Sequence, residues 1–301
     1  MKLCCYLLVG LMLLGTVTFG QDTLRVNVDL VNVLFTVTDK RGKFITSLEE
    51  KSFRVFENDR RETITNFSKE TNLPLAVALL IDTSGSVRDK LAFERDAASE
   101  FFHSILRREK DKALLIGFDS GVDLLQDFTD DADLLAKSAN NLRSGGGTSL
   151  FDAMFLAVTQ KLAGQSGRKV LILITDGDDN SSRLTYQETL LAIQKNEVVV
   201  YAISTNASAL GGNEVANGDK VLKRFTEQTG GRFIKPTRLS DLVTSFASIG
   251  DELRSQYTIG YQSSNPLRDG SYRKIRIEAL DKNLRVRARP GYYSPTDKTG
   301  R

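Results

Sequence analysis

The chain has 301 residues, with 41 Lys and Arg against 38 Asp and Glu, a single histidine and no tryptophan. Because basic and acidic residues are nearly equal in number, the composition does not indicate a general nucleic-acid-binding surface. One histidine excludes a zinc site built on clustered histidines and any mechanism that needs two of them. The length is enough for one large domain and a smaller one.

Residues 1–20 have the pattern of a secretory signal peptide. Lys2 precedes an apolar run that ends near Leu14, and small residues lead up to Gln21. Both cysteines, Cys4 and Cys5, lie in this segment, so we expect a mature chain without disulfides or thiolate metal ligands. No later segment approaches the roughly 20 apolar residues of a membrane span. We therefore expect a protein exported to a bacterial envelope, secreted or periplasmic, with no integral membrane segment after cleavage.

Residues 22–72 form a strand-like N-terminal flank. Val26 and Val28 alternate in one phase, and Val33, Phe35 and Val37 alternate in the other. The change of phase predicts a bulge or break near residue 30. Turns are expected at residues 39–42 and 57–60.

Residues 73–249 change to apolar strands that alternate with longer periodic segments, which is typical of βαβ units around a parallel sheet. Helices are predicted from Val87 to about Arg107 and from Asp241 onward. The predicted strands cover residues 75–81, 113–118, 122–128, 170–175, 198–203 and 231–234. The fold class expected here is α/β, with a doubly wound, mostly parallel sheet.

Residues 250–293 contain the end of the last helix and a second β flank, followed by a tail at 294–301. Alternating apolar residues predict three strands joined by two hairpins, which turn at 265–270 and 281–283. Neither flank has enough strands to bury both faces alone. We therefore expect the two flanks to form one small β-sandwich into which the α/β domain is inserted. Its solvated side is expected to carry Arg273, Arg276, Arg285, Arg287 and Arg289.

The run Asp82-Thr83-Ser84-Gly85-Ser86 follows the first predicted strand of the α/β domain. Ser86 suits a helix cap, but a cap leaves Asp82 and Ser84 unexplained. An aspartic hydrolase would need a second Asp-Thr-Gly or Asp-Ser-Gly turn, and the nearest candidate, at 175–177, reads Thr-Asp-Gly. A third interpretation is a site for a hard metal ion.

Two further motifs favour the metal interpretation. Gly145-Gly146-Gly147-Thr148-Ser149 lies at a loop-to-helix junction, and Thr175-Asp176-Gly177 ends an apolar strand. Ligands of doubly wound sheets bind beyond the carboxyl ends of the strands, where the strand order reverses. If the order is 3-2-1-4-5-6, five oxygen-bearing residues converge there, a donor set that suits Mg²⁺ or Mn²⁺. They are Asp82, Ser84, Ser86, Thr148 and Asp176.

These three motifs resemble the metal-ion-dependent adhesion site of von Willebrand factor type A domains, and the resemblance covers roughly residues 73–249. It implies that Ser84, Ser86 and Thr148 bind the metal directly, while the two aspartates act largely through water. It also implies an open coordination position for a carboxylate from a partner protein. The flanks are similar to those of secreted bacterial proteins related to this family, through residues 48–56 and 289–293.

The expected function is therefore that of a non-catalytic, adhesion-type module that uses a divalent cation to bind an acidic side chain of another protein. Two alternatives stay open. One is a metal-assisted hydrolase, which would need a general base such as Asp119, Asp178 or Asp179. The other is a scaffold with a vestigial site. The acidic turn at 178–180 is expected to be solvated and not a second cation site.

Overall fold

The structure, a computed structural model, describes residues 30–69, 72–206, 217–238 and 240–296. The predicted signal peptide, most of the predicted tail and Val26 and Val28 lie outside these residues. The described residues form a six-stranded sheet and two four-stranded sheets. No helix among them is long and apolar enough to cross a bilayer.

The N-terminal flank contributes four strands to the two smaller sheets. They are β1 (Leu30–Thr38), β2 (Phe53–Glu57), β3 (Arg60–Glu62) and β4 (Ile64–Lys69). Asn58 and Asp59 link β2 to β3 with φ values of 46° and 65°. Asn and Asp tolerate this left-handed conformation, so the turn predicted at 57–60 is a tight hairpin.

The α/β domain follows. Its elements are β5 (Leu75–Asp82), α1 (Leu91–Ile105), β6 (Lys112–Phe118), β7 (Val122–Thr129), α2 (Ala132–Ala139), α3 (Leu150–Leu156), β8 (Arg168–Thr175), α4 (Tyr186–Lys195), β9 (Val199–Ser204), α5 (Asn217–Thr229), β10 (Phe233–Ile234) and α6 (Asp241–Leu253). A π-helical turn, Ala157–Leu162, extends α3.

The large sheet has the order β10-β9-β8-β5-β6-β7. All pairs are parallel except β6 with β7, which form an antiparallel pair at one edge. Numbered within the domain, this is the order 3-2-1-4-5-6 on which the predicted site depends. The order reverses between β5 and β8, where Ile81 is opposite Ile174. The carboxyl ends of these two strands are therefore neighbours.

Two apolar cores lie on opposite faces of the large sheet. Successive residues of β5 belong to different cores. Leu79 and Ile81 pack in one core, and Ala78 and Leu80 pack in the other. Residues of α1, α2 and α6 complete the first core, and residues of α3, α4 and α5 complete the second. The central strands are buried on both faces, which explains why they are continuously apolar in the sequence.

The second flank adds β11 (Gln256–Gln262), β12 (Tyr272–Ala279), β13 (Arg285–Ala288) and β14 (Gly291–Tyr293). One small sheet has the order β13-β1-β11-β4 and the other β14-β12-β2-β3. Phe35 on β1 meets Phe53 on β2 at 5.0 Å between ring centroids, so the sheets share a core. The predicted joint β-sandwich is confirmed, since each sheet takes strands from both flanks.

The two predicted hairpins of the second flank are wrong. β11 pairs with β1 and β4, and β12 pairs with β2 and β14, so the segment 263–271 crosses from one sheet to the other. The turn at 281–283 likewise leads from β12 to β13, which pairs with β1. Each of these strands finds its partner in the N-terminal flank, which local alternation does not reveal.

Two smaller expectations also need correction. Helix α1 begins at Leu91 and not at Val87, because Gly85–Val87 forms a short 3₁₀ turn. No side-chain hydrogen bond caps that turn. Arg273 does not line the solvated side of the sandwich. It is buried, and its guanidinium lies 3.4 Å from Glu57 and donates to the Ser263 hydroxyl at 2.8 Å.

Candidate functional site

Asp82 ends β5 and is fully buried at the point where the strand order reverses. Its Oδ1 accepts a hydrogen bond from the Ser84 backbone N–H at 2.9 Å, and its Oδ2 accepts one from the Thr175 hydroxyl at 2.6 Å. Burial raises the pKa of Asp82, and the hydrogen bonds from Thr175 and Ser84 offset part of that rise. These bonds fix the carboxylate between the ends of β5 and β8.

A chain of hydroxyls joins the β5 loop to the β8 loop. The Ser84 and Ser86 hydroxyl oxygens are 2.9 Å apart, and Ser86 donates to Asp176 Oδ2 at 2.9 Å. Asp176 Oδ1 accepts from the backbone of Asp178 at 3.2 Å. Four of the five predicted residues, Asp82 included, therefore form one connected cluster at the sheet's ligand end.

The loop that carries Thr148 contacts the Asp82 loop through main-chain hydrogen bonds of its glycines. Gly145 N–H donates to the Thr83 carbonyl at 2.8 Å, and Gly85 N–H donates to the Gly146 carbonyl at 3.3 Å. Thr148 itself is buried. The glycine-rich loop therefore lies directly against the Asp82 loop, as expected from the predicted strand order.

The glycines of this loop meet two different needs. Gly146 has φ of +66°, a conformation that glycine adopts readily. At Gly147 a Cβ would lie 2.4 Å from the Ser181 hydroxyl and 2.6 Å from Asn180 Oδ1. A side chain there would push the loop away from the β8 loop.

Asn180 was expected only in a solvated turn, and it has a structural role at the site. Its Oδ1 accepts from Thr148 N–H at 2.9 Å, and its own N–H donates to the Thr148 carbonyl at 3.1 Å. This reciprocal pair clamps the loop of Thr148 to the β8 loop. In the sequence, this role could have been inferred from the position of Asn180, four residues after the predicted ligand Asp176.

The other acidic residues of this edge are engaged in local structure. Asp179 Oδ2 accepts from the Phe151 backbone N–H at 3.0 Å and from the Ser182 hydroxyl at 2.6 Å, so it serves the start of α3. Asp119 Oδ1 accepts from Gly121 N–H at 2.9 Å within its own turn. These hydrogen bonds do not favour Asp179 or Asp119 as a free general base or as a ligand of a second cation.

Asn206 also holds Asp176 in place by a hydrogen bond to its main chain. Asn206 donates from Nδ2 to the Asp176 carbonyl at 2.8 Å and to Asp219 Oδ1 at 2.9 Å. Asp219 is buried and pairs with Lys235 at 2.7 Å. Local sequence patterns do not indicate these contacts, because Asn206 follows β9, Asp219 lies in α5 and Lys235 follows β10.

The donor set fits a hard divalent cation. The two carboxylates and the hydroxyls of Ser84 and Ser86 form one cluster, the loop of Thr148 lies against it, and these side chains offer only oxygen donors. In the described part of the chain no group of three or more His, Cys, Asp or Glu could hold a metal. A metal at this edge would therefore depend on the hydroxyls of Ser84, Ser86 and Thr148 as well as on Asp82 and Asp176.

The fold and the site edge together define a class of protein: a doubly wound α/β domain with oxygen-rich loops at the switch point of its sheet. A family model described as von Willebrand factor type A domain matches residues 77–178. The chain carries a von Willebrand factor type A domain, with flanking segments that add a β-sandwich.

Solved structures agree with this fold. A von Willebrand factor type A protein from Catenulispora acidiphila is similar over 81% of this chain and 76% of its own, with 13% identity and a TM-score of 0.53. Proximal thread matrix protein 1 from the mussel byssus is similar over 66% of this chain and 51% of its own, with 13% identity and a TM-score of 0.52. At such identities the similarity establishes the fold alone.

The PilB minor pilin from Streptococcus sanguinis is similar at 16% identity and a TM-score of 0.49, over 65% of this chain and 64% of its own. This chain thus spans less than two thirds of the pilin. The comparison with curated proteins gives no match.

Proposed function

We propose that this protein is an exported, non-catalytic binding module that uses Mg²⁺ or Mn²⁺ to bind a carboxylate of a partner protein. The observation that supports it most is the hydrogen-bonded chain from Ser84 through Ser86 to Asp176, beside the buried Asp82. The von Willebrand factor type A fold adds to it, because its strand order sets the end of β5, with Asp82, beside the end of β8, which Asp176 follows.

In this proposal Ser84, Ser86 and Thr148 offer hydroxyl oxygens to the cation, while Asp82 and Asp176 supply negative charge. Neutral hydroxyls donate weakly, and the two carboxylates only balance the ion's formal charge. When bound, the ion offers an electrophilic coordination position that a partner Asp or Glu fills. Thr175, Asn180 and Asn206 orient the loops through the hydrogen bonds described above.

Metal binding is the first test. Calorimetric titration with Mg²⁺ should give one ion per chain. Ser86→Ala should weaken the affinity about tenfold, or about 1.4 kcal/mol, because it removes one oxygen donor. Ser86 is exposed, so folding should be preserved. The control is Ser255→Ala, which removes a hydroxyl just after α6 that donates to the Asp251 carbonyl of that helix. Equal affinity for Ser86→Ala and wild type would contradict the assignment.

Carboxylate binding is the second test. Partners captured from a cell-envelope extract with Mg²⁺ should be released by chelator and absent with Thr148→Ala. Changing the partner's contacting acid to its amide should abolish capture. Capture that survives chelation would rule out the metal bridge. Turnover of a substrate that Asp176→Ala abolishes would support the hydrolase alternative instead.

Export is the third part of the proposal. It depends on residues 1–20, which lie outside the described structure, and on their signal-peptide pattern. Expression of the full chain in a bacterium should give a mature N-terminus at Gln21 in the envelope or the medium. N-terminal sequencing checks this, and an intact Met1 terminus on cytosolic protein would refute it.

A further inference from the structure

Glu94 is a buried acid without a hydrogen-bond partner. It lies in the first turn of α1, with a relative exposure of 0%. Neither of its carboxyl oxygens has a hydrogen-bond partner in the described structure. Burying such a group costs free energy, and buried acids are normally hydrogen-bonded or compensated by charge. Its position therefore needs an explanation beyond packing.

The charged groups that act on Glu94 belong largely to the candidate cation site. They are Asp82 at the end of β5, Asp176 after β8, and Lys90 just before α1. Lys90 is engaged by its own hydrogen bond from Nζ to the Thr205 carbonyl at 2.7 Å. Burial raises the pKa of Glu94 to about 8, the two aspartates add to the rise, and Lys90 opposes it. Without a cation, Glu94 is mostly protonated at neutral pH.

We propose that Glu94 is a third acidic group of the cation site, which gives up its proton when a divalent ion binds at Asp82 and Asp176. The inference rests on the proposed function. The step is balanced: the ion enters, the Glu94 O–H bond breaks, the carboxylate keeps the electron pair, and one proton passes to the buffer.

The physical reason is the local field. Two aspartates disfavour a third negative charge nearby, and a doubly charged cation held by the candidate site would offset that effect. The effect is strong because Glu94 is shielded from water. Glu94 acts through this field and not as a ligand, since the described residues contain no three-acid group able to hold a metal.

The test counts protons. Mg²⁺ is titrated calorimetrically into the purified protein at pH 7, in two buffers that differ in protonation enthalpy. Wild type should release a measurable fraction of a proton per ion, and its affinity should rise from pH 6 to pH 7 by less than tenfold. Glu94→Gln should release far less and show a flatter pH dependence. The matched control is Glu100→Gln, an exposed glutamate of the same helix, which should behave like wild type.

The outcomes separate the two hypotheses. If wild type binds Mg²⁺ and Glu94→Gln releases as many protons as wild type, the role of Glu94 is refuted and the proposed function stands. If wild type binds no Mg²⁺ or Mn²⁺, both fail. Should Glu94→Gln not fold, carboxyl ¹³C NMR of wild type decides the question. The Glu94 signal should titrate near pH 8 without Mg²⁺ and at a lower pH with it, and an unchanged titration would overturn the inference.

Discussion

Glu252 connects the α/β domain to the β-sandwich, and its removal should destabilise the whole chain. It lies in the last turn of α6, with a relative exposure of 0%. It accepts a hydrogen bond from the Tyr201 hydroxyl of β9 at 2.8 Å, and it pairs with Arg232 at 3.1 Å. It also pairs with Arg287 of β13, in the sandwich. One carboxylate thus joins β9, β13 and the segment between α5 and β10.

Glu252→Ala leaves two arginines without their shared counter-ion. Breaking a buried pair typically costs about 3 to 5 kcal/mol, because an uncompensated charge remains. Both arginine side chains keep partial access to water, at 30% for Arg232 and 35% for Arg287. We therefore expect the low end of that range, about 3 kcal/mol in the free energy of unfolding.

Urea denaturation measures this loss. With a slope near 3 kcal/mol/M, about 3 kcal/mol lowers the midpoint by about 1 M. The control is Glu227→Ala, which breaks an exposed pair with Lys223 at 3.8 Å and should cost about 0.5 kcal/mol or less. Glu252→Gln should fall between the two, because the amide can still accept hydrogen bonds. A loss under 1 kcal/mol for Glu252→Ala would refute the reasoning.

Three further predictions follow from single residues. Burial alone would raise the pKa of Asp111, but hydrogen bonds from Arg107 and Arg254 hold that pKa well below its usual range. Its stabilisation is therefore present above about pH 4 and is lost as the pH falls below it. Asp111→Asn should lower the free energy of unfolding at pH 7 by about 2 kcal/mol, and it should reduce the fall in melting temperature at acid pH. An unchanged fall at acid pH would contradict this. Hydrogen bonds with Asp133 and the Ser99 carbonyl raise the pKa of His103, so Asp133→Asn should lower it in an NMR titration of this single histidine, and an unmoved titration would disprove the pair. Asn180→Ala should weaken Mg²⁺ binding about tenfold with little change in melting temperature, whereas Asn180→Asp, which still accepts from Thr148, should bind nearly normally; calorimetry that ranks them the other way would refute the clamp.

The α/β domain was predictable because its signals are local and repeated. Continuous apolar strands indicate burial on both faces, and the strand order follows from the parallel, doubly wound class. The placement of the candidate site followed in turn, since Asp82 ends one such strand and Asp176 directly follows another. Both inferences use properties that adjacent residues carry.

The remaining features depend on contacts between distant segments. Strands β11 and β12 look like a hairpin in the sequence, yet each pairs with a strand more than 190 positions earlier. Arg273 alternates like a solvated residue but meets Glu57 inside the sandwich. Glu94 resembles any polar residue of an amphipathic helix, and only the three-dimensional structure reveals that its carboxyl is buried.

The junction and the candidate site lie at opposite ends of β8, so their effects should separate. Arg168, the first residue of β8, donates to Gln256 of the sandwich at 2.6 Å, whereas Thr175, the last, donates to Asp82. Glu252 itself lies between these two ends, since its partner Tyr201 on β9 is opposite Ile172 of β8. Its partners Tyr201, Arg232 and Arg287 all lie outside the candidate site. Glu252→Ala should therefore lower stability but leave the Mg²⁺ affinity within about twofold of wild type, under conditions where the variant is folded. Calorimetry beside the urea series measures both quantities on one protein. A tenfold loss of affinity in the folded variant would mean that the sandwich acts on the site through α6, and that the domain is not the independent unit its topology suggests.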